Sequence, residues 1–241
     1  MAVSEKAVLD GVRRELLALA TPGKKAAEER FFKEKVNFLG CTYVDINRIV
    51  DRCSTSLKRE GWTYDQVLAL AERLMRNGVY EETAVGLGLV AKRAADFRRS
   101  DFATFERWLN SYITNWAHTD TIGPHIVGEM LGMHPELASR VFKWTKSKNR
   151  WARRAAAVSY VIHGKRGRFH PQIFRTAEAM YADDDEMVQK GVGWMLKTTS
   201  QSDERAVVAF LQKHKRRMPR LVLRYASEKL TPANRKLVME R

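Results

Sequence analysis

Apolar residues recur at helical spacing along most of the chain. Val67, Ala71, Leu74 and Met75 form a stripe at i, i+4, i+7 and i+8. Comparable stripes run through residues 151–162 and 188–196. No alternating run of β-branched residues bounded by hairpin turns is found. The pattern therefore predicts an all-α protein of about a dozen helices of ordinary length.

Capping residues and prolines mark where these helices begin and end. Residues Thr63 to Gln66 match a capping box, Gly78 follows the last turn of that helix, and Thr231-Pro232 reads as an N-cap followed by the first helical residue. Polar amphipathic helices alternate with apolar, small-residue-rich ones at a spacing of roughly 30 to 40 residues. This spacing predicts a single domain over residues 1–241, a curved α-solenoid of HEAT- or armadillo-like repeats with a basic concave groove. An irregular α-bundle with a basic patch is the alternative.

Composition narrows the class of protein. The chain has 241 residues, of which 44% are hydrophobic, so a wholly disordered basic tail is excluded. No run of eighteen apolar residues occurs, and the first twenty residues carry Glu5, Asp10, Arg13, Arg14 and Glu15, so we expect neither a membrane span nor a secretory signal. We expect a cytoplasmic, nucleoid-associated protein of bacterial type. The two cysteines and six histidines have no metal-ligand spacing, and we predict no metal and no cofactor.

The charge indicates a polyanionic partner. Lys and Arg number 43 against 28 Asp and Glu, a net charge of +15. Residues 138–176 contain no acid and eleven basic residues, and a second acid-free run spans Arg205 to Ser227. The acidic cluster 183–186 lies between them. Two runs of one sign predict a positive stripe that binds nucleic-acid phosphates, the alternative being a solvated, generally basic surface.

The segment from Asn115 to Pro124 carries the first candidate chemistry. Proline is tolerated in the first turn of a helix, so Pro124 predicts a helix start that puts Asp120 at or near the N-cap. An aspartate there stays ionised and is held in a fixed orientation. Trp116, four residues earlier, is close enough to share one site. The alternatives are a plain capping role for Asp120 and core packing for Trp116.

Trp194 lies on a predicted helix face with Lys190 and Lys197 and points away from the apolar stripe. A tryptophan on a basic face suits contact with a sugar or base, flanked by phosphate ligands. Gly191 and Gly193 allow another backbone to approach this helix closely. Packing against a neighbouring repeat is the alternative.

Basic residues crowd the helix start at residue 150, where acids are usually favoured. Arg150 and Arg154 are i, i+4 neighbours, and a phosphate between them would remove their repulsion. With Arg153 and Lys148, which precedes the helix, they are predicted DNA contacts, as are Lys190 and Lys197. The alternative is that these side chains are simply solvated.

Residues 116–120, 151–156 and 189–194 together resemble a known family, the AlkD-type DNA alkylation repair family of HEAT-like-repeat alkylpurine DNA glycosylases. The first segment is similar to its Trp-x-x-x-Asp motif, the second to its Trp-x-x-Arg-Ala-Ala helix and the third to its Gln-Lys-Ala-x-Gly-Trp helix. Ile122-Gly123-Pro124 and residues 134–137 continue the match in register. The similarity covers roughly residues 100 to 200.

The resemblance implies a monofunctional glycosylase that removes 3-methyladenine and 7-methylguanine from duplex DNA without a base-flipping pocket. It implies catalytic roles for Trp116, Asp120 and Trp194, a backbone-binding role for Arg154, and a monomer without an obligate protein partner. Two departures are that Ala117-His118 replaces an aromatic and acidic pair, and that Phe31 stands where a tyrosine is common. Two alternatives stay open: a non-catalytic binder of branched or bulged DNA on the same scaffold, and a HEAT protein-interaction scaffold.

Overall fold

The computed structural model describes residues 4–240, and their regular structure is helical. The α-helices are α1 (Glu5–Leu19), α2 (Pro22–Glu29), α3 (Tyr43–Arg59), α4 (Tyr64–Met75), α5 (Tyr80–Ala91), α6 (Phe102–Ser111), α7 (Trp116–Ile122), α8 (Gly128–Met133), α9 (Ala138–Lys143), α10 (Arg150–Val158), α11 (Val161–Lys165), α12 (His170–Met180), α13 (Glu186–Thr199), α14 (Glu204–His214), α15 (Arg220–Ala226) and α16 (Pro232–Met239). A π-helical turn occupies Gly123–Val127, and short 3-10 turns link several helices. Within the described residues there is no strand, and one isolated bridge joins Asn37 to Val79. The prediction of an all-α fold is confirmed.

Helix α4 shows how the sequence sets a local boundary. The Gln66 amide donates to Thr63 Oγ1 at 3.3 Å, and the Thr63 amide donates to Gln66 Oε1 at 2.8 Å, so the predicted capping box forms. Gly78 ends the segment with a φ of 64°, a left-handed conformation that glycine adopts without strain. The apolar stripe of this helix is buried, as its spacing predicted.

The described residues divide into two compact units, the first ending at Thr121 and the second beginning at Ile122. In the first unit, α5 packs against α3 and α4, and α1 packs against α3. Leu70, Ala71 and Leu74 are fully buried in its core. The single domain over residues 1–241 stays a prediction.

In the second unit, α13 packs between α10 and α15, with α12 and α14 also against it. Two glycines allow these close approaches. A Cβ added at Gly191 would lie 3.2 Å from Cγ of Arg154 on α10, and one added at Gly193 would lie 2.4 Å from Cβ of Tyr225 on α15. This stacking of successive helices agrees with the predicted solenoid-like arrangement. The basic concave groove stays a prediction.

In the part of the chain that the structure describes, no helix combines the length and apolar character needed to cross a bilayer.

Candidate functional site

Helix α7, at the end of the first unit, carries Trp116 and Asp120. It begins after Asn115, whose Oδ1 accepts the His118 amide at 3.0 Å and whose backbone carbonyl accepts the Thr119 amide at 3.2 Å. Asn115 is therefore the capping residue, and Asp120 lies in the second turn. The prediction that Asp120 stands at the N-cap is wrong. Its distance from the helix start also weakens the stabilisation that the helix dipole gives its charge.

The prediction failed because of how Pro124 is accommodated. Pro124 lies in the π-helical turn Gly123–Val127, where the Gly128 amide donates to the Gly123 carbonyl five residues back. Proline has no amide hydrogen to donate to Asp120, its i−4 residue, and its ring would crowd that carbonyl in a regular α-helix. A wider π turn is one way in which a chain accepts such a residue without a new helix start.

Trp116 is half-buried in an aromatic cluster of the first unit. Its indole stacks on the Phe32 ring with the centroids 5.1 Å apart and the planes 20° apart. Its Nε1–H donates to the Phe31 carbonyl at 3.2 Å. Phe32 also contacts Phe38 and Tyr80 edge to face. The indole is thus fixed in orientation by one hydrogen bond and one ring contact, while part of it stays accessible.

Asp120 follows Trp116 by four residues, so the two side chains lie on the same side of α7. Asp120 is also half-buried. A carboxylate and an oriented indole therefore share one partly accessible face of α7, whereas the sequence analysis placed Trp116 before the helix. That the two residues form one site stays a prediction.

His118, one of the two departures from the family motif, has a structural role. It is buried, accepts at Nδ1 from the Asn115 side-chain amide at 2.9 Å, and donates from Nε2 to the Tyr80 carbonyl at 3.0 Å. Burial lowers its pKa to about 4, although the hydrogen bond to Tyr80 acts in the opposite direction. His118 is therefore neutral at pH 7 and locks the start of α7 against Tyr80.

Phe31, the other departure, is 70% exposed, although its carbonyl holds Trp116. The sequence analysis did not single out Phe32, whose ring lies against Trp116. The available signal was the pair of adjacent phenylalanines in a polar segment. A large apolar ring in such a segment is covered only when another side chain packs on it.

In the second unit, Trp194 lies on α13 and is half-buried, whereas Val192, Met195 and Leu196 are fully buried. The predicted orientation away from the apolar stripe is therefore consistent with its exposure. Gly193, just before it, touches α15 through Tyr225.

The predicted phosphate ligands at the start of α10 are engaged by the acidic cluster. Arg153 binds Asp183 with two hydrogen bonds, of 2.7 Å from Nε and 3.2 Å from Nη2. Arg150 lies 3.2 Å from Asp185 and covers the ring of Trp151 at 4.4 Å. Asp183 and Asp185 thus fold back onto α10, so the alternative that these arginines are simply solvated is wrong for Arg150 and Arg153. Their contact with DNA stays a prediction.

Arg154 is buried, with 5% of the residue exposed. Its Nη1 donates to the Met187 carbonyl in the first turn of α13. The side chain thus joins α10 to α13, and its aliphatic part packs over Gly191. The predicted phosphate between Arg150 and Arg154 is not needed to relieve their repulsion. Asp185 already pairs with Arg150, and the Met187 carbonyl already accepts a hydrogen bond from Arg154.

The lysines of the Trp194 face are paired as well. Lys190 lies 3.6 Å from Glu186, and Lys197 lies 2.8 Å from Glu228. Lys148 is exposed, and its carbonyl accepts from Arg153 at 3.3 Å. Within residues 4–240, Lys148 has no ion pair and is the predicted DNA contact most open to a phosphate.

Comparison with known proteins identifies the class. The family model described as DNA alkylation repair enzyme matches residues 12–230. The fold is similar to that of a solved structure described as a predicted DNA alkylation repair enzyme from Enterococcus faecalis, with a TM-score of 0.78 and 16% sequence identity over 88% of this chain and 97% of that chain. A search of curated proteins gives no match.

The stacked helices, the Trp116–Asp120 face and the match over most of the chain define one class of protein. The chain belongs to the DNA alkylation repair enzyme family, as the resemblance of its motifs predicted.

Proposed function

We propose that the protein is a monofunctional DNA glycosylase of base excision repair that hydrolyses the N-glycosidic bond of cationic alkylated purines, 3-methyladenine and 7-methylguanine, in duplex DNA without a base-flipping pocket. The observation that carries the proposal is the paired placement of Trp116 and Asp120 on α7, with the indole oriented by Phe31 and Phe32. Membership of a DNA alkylation repair family supports it.

The chemistry requires a fixed anion beside the sugar. An N3- or N7-alkylated purine leaves as a neutral base when its bond to C1′ breaks, and an oxocarbenium ion develops on the deoxyribose. In this proposal Asp120 stabilises that cation and accepts the proton of the water that attacks C1′. The products are the free base and an abasic site.

An indole acts on the same developing charge. In this proposal Trp116 presents an aromatic face to the deoxyribose, whose C–H edges become more positive in the transition state, and the resemblance implies the same kind of contact for Trp194. Cation–π attraction then favours the transition state over the bound substrate. A half-buried ring suits this role, because one face is held by the protein and the other meets the ligand.

The test is mass spectrometry of bases released from methylated duplex DNA by the purified protein. Wild type is expected to release 7-methylguanine or 3-methyladenine faster than the spontaneous rate. The Asp120→Asn variant is expected to release them about 10²- to 10⁴-fold more slowly than wild type. Asp184→Asn, a change at an exposed aspartate of the acidic cluster, is the matched control and should retain activity. Undiminished release by Asp120→Asn would remove this residue from the mechanism.

A second candidate is a non-catalytic binder of branched or bulged DNA, because one side chain that the glycosylase proposal gives to DNA is engaged inside the protein. Arg154, which the resemblance assigns to the DNA backbone near the lesion, is buried and donates to the Met187 carbonyl. This candidate predicts salt-sensitive binding to branched duplexes by wild type and no released base. The same mass-spectrometric assay, run beside a binding assay, separates the two functions.

A further inference from the structure

The second acid-free run of the sequence forms a cationic turn that the proposed site does not use. We call the segment 213–224 the α14–α15 turn; it comprises the end of α14, the connection and most of α15. Lys213, Arg216, Arg217 and Arg224 are exposed. Among residues 4–240, none of these four has an ion-pair partner, in contrast to Arg150, Arg153, Lys190 and Lys197.

Two other cations of the turn hold its backbone in place. Lys215 donates to the carbonyls of Leu237 and Glu240 at 3.1 and 2.9 Å, and Arg220 donates to the Met239 carbonyl at 2.6 Å. These carbonyls lie at the end of α16, where the last turn of a helix lacks internal partners. The turn is therefore tied to α16, and its remaining cations project from an anchored backbone.

Helix α15 also lies directly beside the helix that carries Trp194. Tyr225 packs against Gly193, and Glu228, just past α15, pairs with Lys197 at 2.8 Å. The Arg224 guanidinium carbon lies 5.7 Å from the centroid of the Tyr225 ring. The Arg224 end of the cationic turn therefore belongs to a helix that packs against α13, the helix that carries Trp194.

The turn presents more than one guanidinium group to a ligand. Arg216 and Arg217 lie in the connection between the two helices, and Arg224 lies on α15. One DNA strand carries a phosphate about every 3.4 Å along the duplex axis, so a duplex can offer a separate phosphate to each of these arginines.

The surface suits DNA better than an acidic protein. The exposed large apolar side chains of the described residues are Leu17, Phe31, Tyr43, Val44, Met133 and Leu237. None lies within residues 205–227, and Leu237, whose carbonyl Lys215 binds, is a single apolar side chain beside the turn. A stable protein interface needs an apolar core, whereas phosphate binding needs chiefly charge and guanidinium donors.

We infer that the α14–α15 turn is a second duplex-binding element, which contacts the sugar-phosphate backbone next to the nucleotide held at Trp194. The inference rests on the proposed function for the choice of duplex DNA as the ligand. It assigns affinity to Arg216, Arg217 and Arg224, outside the residues that the sequence motifs single out.

The experiment measures binding of an undamaged, fluorescently labelled duplex by anisotropy over a range of salt concentrations. The variant is Arg216→Gln/Arg217→Gln/Arg224→Gln. The slope of log K against log salt is negative, and each lost phosphate contact reduces its magnitude by about 0.9. The loss of three contacts therefore reduces the magnitude by about 2.7. The control, Lys6→Gln/Arg14→Gln/Arg59→Gln, removes equal charge from exposed positions of the first unit and should keep the slope within about one contact of wild type.

A charge-retaining variant separates binding from folding. Arg216→Lys/Arg217→Lys/Arg224→Lys should keep the wild-type slope, and thermal unfolding should show that all three variants are folded. An unchanged slope in the glutamine variant overturns the inference, as does wild type that fails to bind duplex. Because the duplex is undamaged, a failed glycosylase assay leaves this readout intact, and the failures of the two proposals are distinguishable.

Discussion

Arg153 and Asp183 form a two-pronged ion pair across thirty residues of sequence, with hydrogen bonds of 2.7 and 3.2 Å. The same guanidinium donates to the Ser147 carbonyl at 2.9 Å, and Asp183 accepts the Asp185 amide at 2.9 Å. One pair therefore joins the start of α10 to the segment that caps α13. A cation that the sequence assigns to DNA thus contributes to the internal structure of the second unit.

We expect Asp183→Asn to destabilise the protein. Both side chains of the pair are largely buried, at 19% and 11% exposure, and the substitution leaves the Arg153 charge without its counter-ion. The expected loss is about 1 to 3 kcal/mol, below the range for fully buried pairs because water still reaches this one. Chemical denaturation measures it. Asp184→Asn, next in sequence and exposed, should change the free energy of unfolding by less than about 0.5 kcal/mol; equal losses would contradict the role given to Asp183.

Alanine substitutions at two helical glycines, Gly193 and Gly11, should change the free energy of unfolding in opposite directions. At Gly193 an added Cβ would lie 2.4 Å from Tyr225 Cβ, so α15 has to move. We expect Gly193→Ala to reduce the free energy of unfolding by about 1 to 3 kcal/mol. At Gly11 in α1 an added Cβ meets no atom within 4 Å, and alanine should stabilise by about 0.5 to 1 kcal/mol. Urea titration of both variants checks the difference. A stabilising Gly193→Ala would show that the α13–α15 contact is looser than described.

His118 makes stability fall in mild acid. Its folded pKa of about 4 is below the unfolded value near 6.5, so the unfolded chain takes up the proton first. Its contribution is complete above pH 6.5 and declines as the pH falls toward 4, by on the order of 3 kcal/mol over that interval. His163 and His214, whose pKa values burial also lowers, act in the same direction.

The isolating variant is His118→Gln, which keeps an amide donor near Tyr80 and removes the titration. Unfolding free energies measured from pH 6.5 to 4.5 should decline less steeply for this variant than for wild type. Parallel curves would show that His118 does not carry the pH dependence.

Trp194→Ala should cost activity and little stability. The ring is half-buried, and it has no aromatic partner among the described residues, so the loss should stay at or below about 2 kcal/mol. Met195→Ala, at the fully buried neighbouring position, should cost about 2 to 5 kcal/mol. Denaturation paired with the base-release assay makes the comparison. A larger stability loss at Trp194 than at Met195 would indicate a packing role for the indole.

Local signals predicted much of the fold because they act within one or two turns of chain. The capping box at Thr63 and Gln66 forms as predicted, and Thr231-Pro232 begins α16. In the last case the tertiary structure changed the detail: the Thr231 hydroxyl donates to Glu204 at 2.8 Å instead of capping its own helix.

The prediction for Asp120 failed for a reason that a sequence rule could not supply. The rule tolerates proline in the first helical turn and excludes it from later turns. The exclusion applies only when the helix keeps its regular i to i−4 hydrogen bonding. The π turn at Gly123–Val127 relaxes that condition, and packing decides whether a chain forms one: a Cβ added at Gly123 would lie 2.6 Å from Val158 on α10, and one added at Gly128 would lie 2.9 Å from the Ser159 carbonyl.

By itself the sequence determined the helical class, helix starts such as those after Thr63 and Thr231, the net charge of +15 and the family, because periodicity, caps and short motifs are local properties of the chain. Only the tertiary structure decided which cations are neutralised. Ion pairs such as Arg153–Asp183 and Lys197–Glu228 join residues about thirty positions apart, and the Coulomb interaction depends on distance in space, which sequence separation does not give.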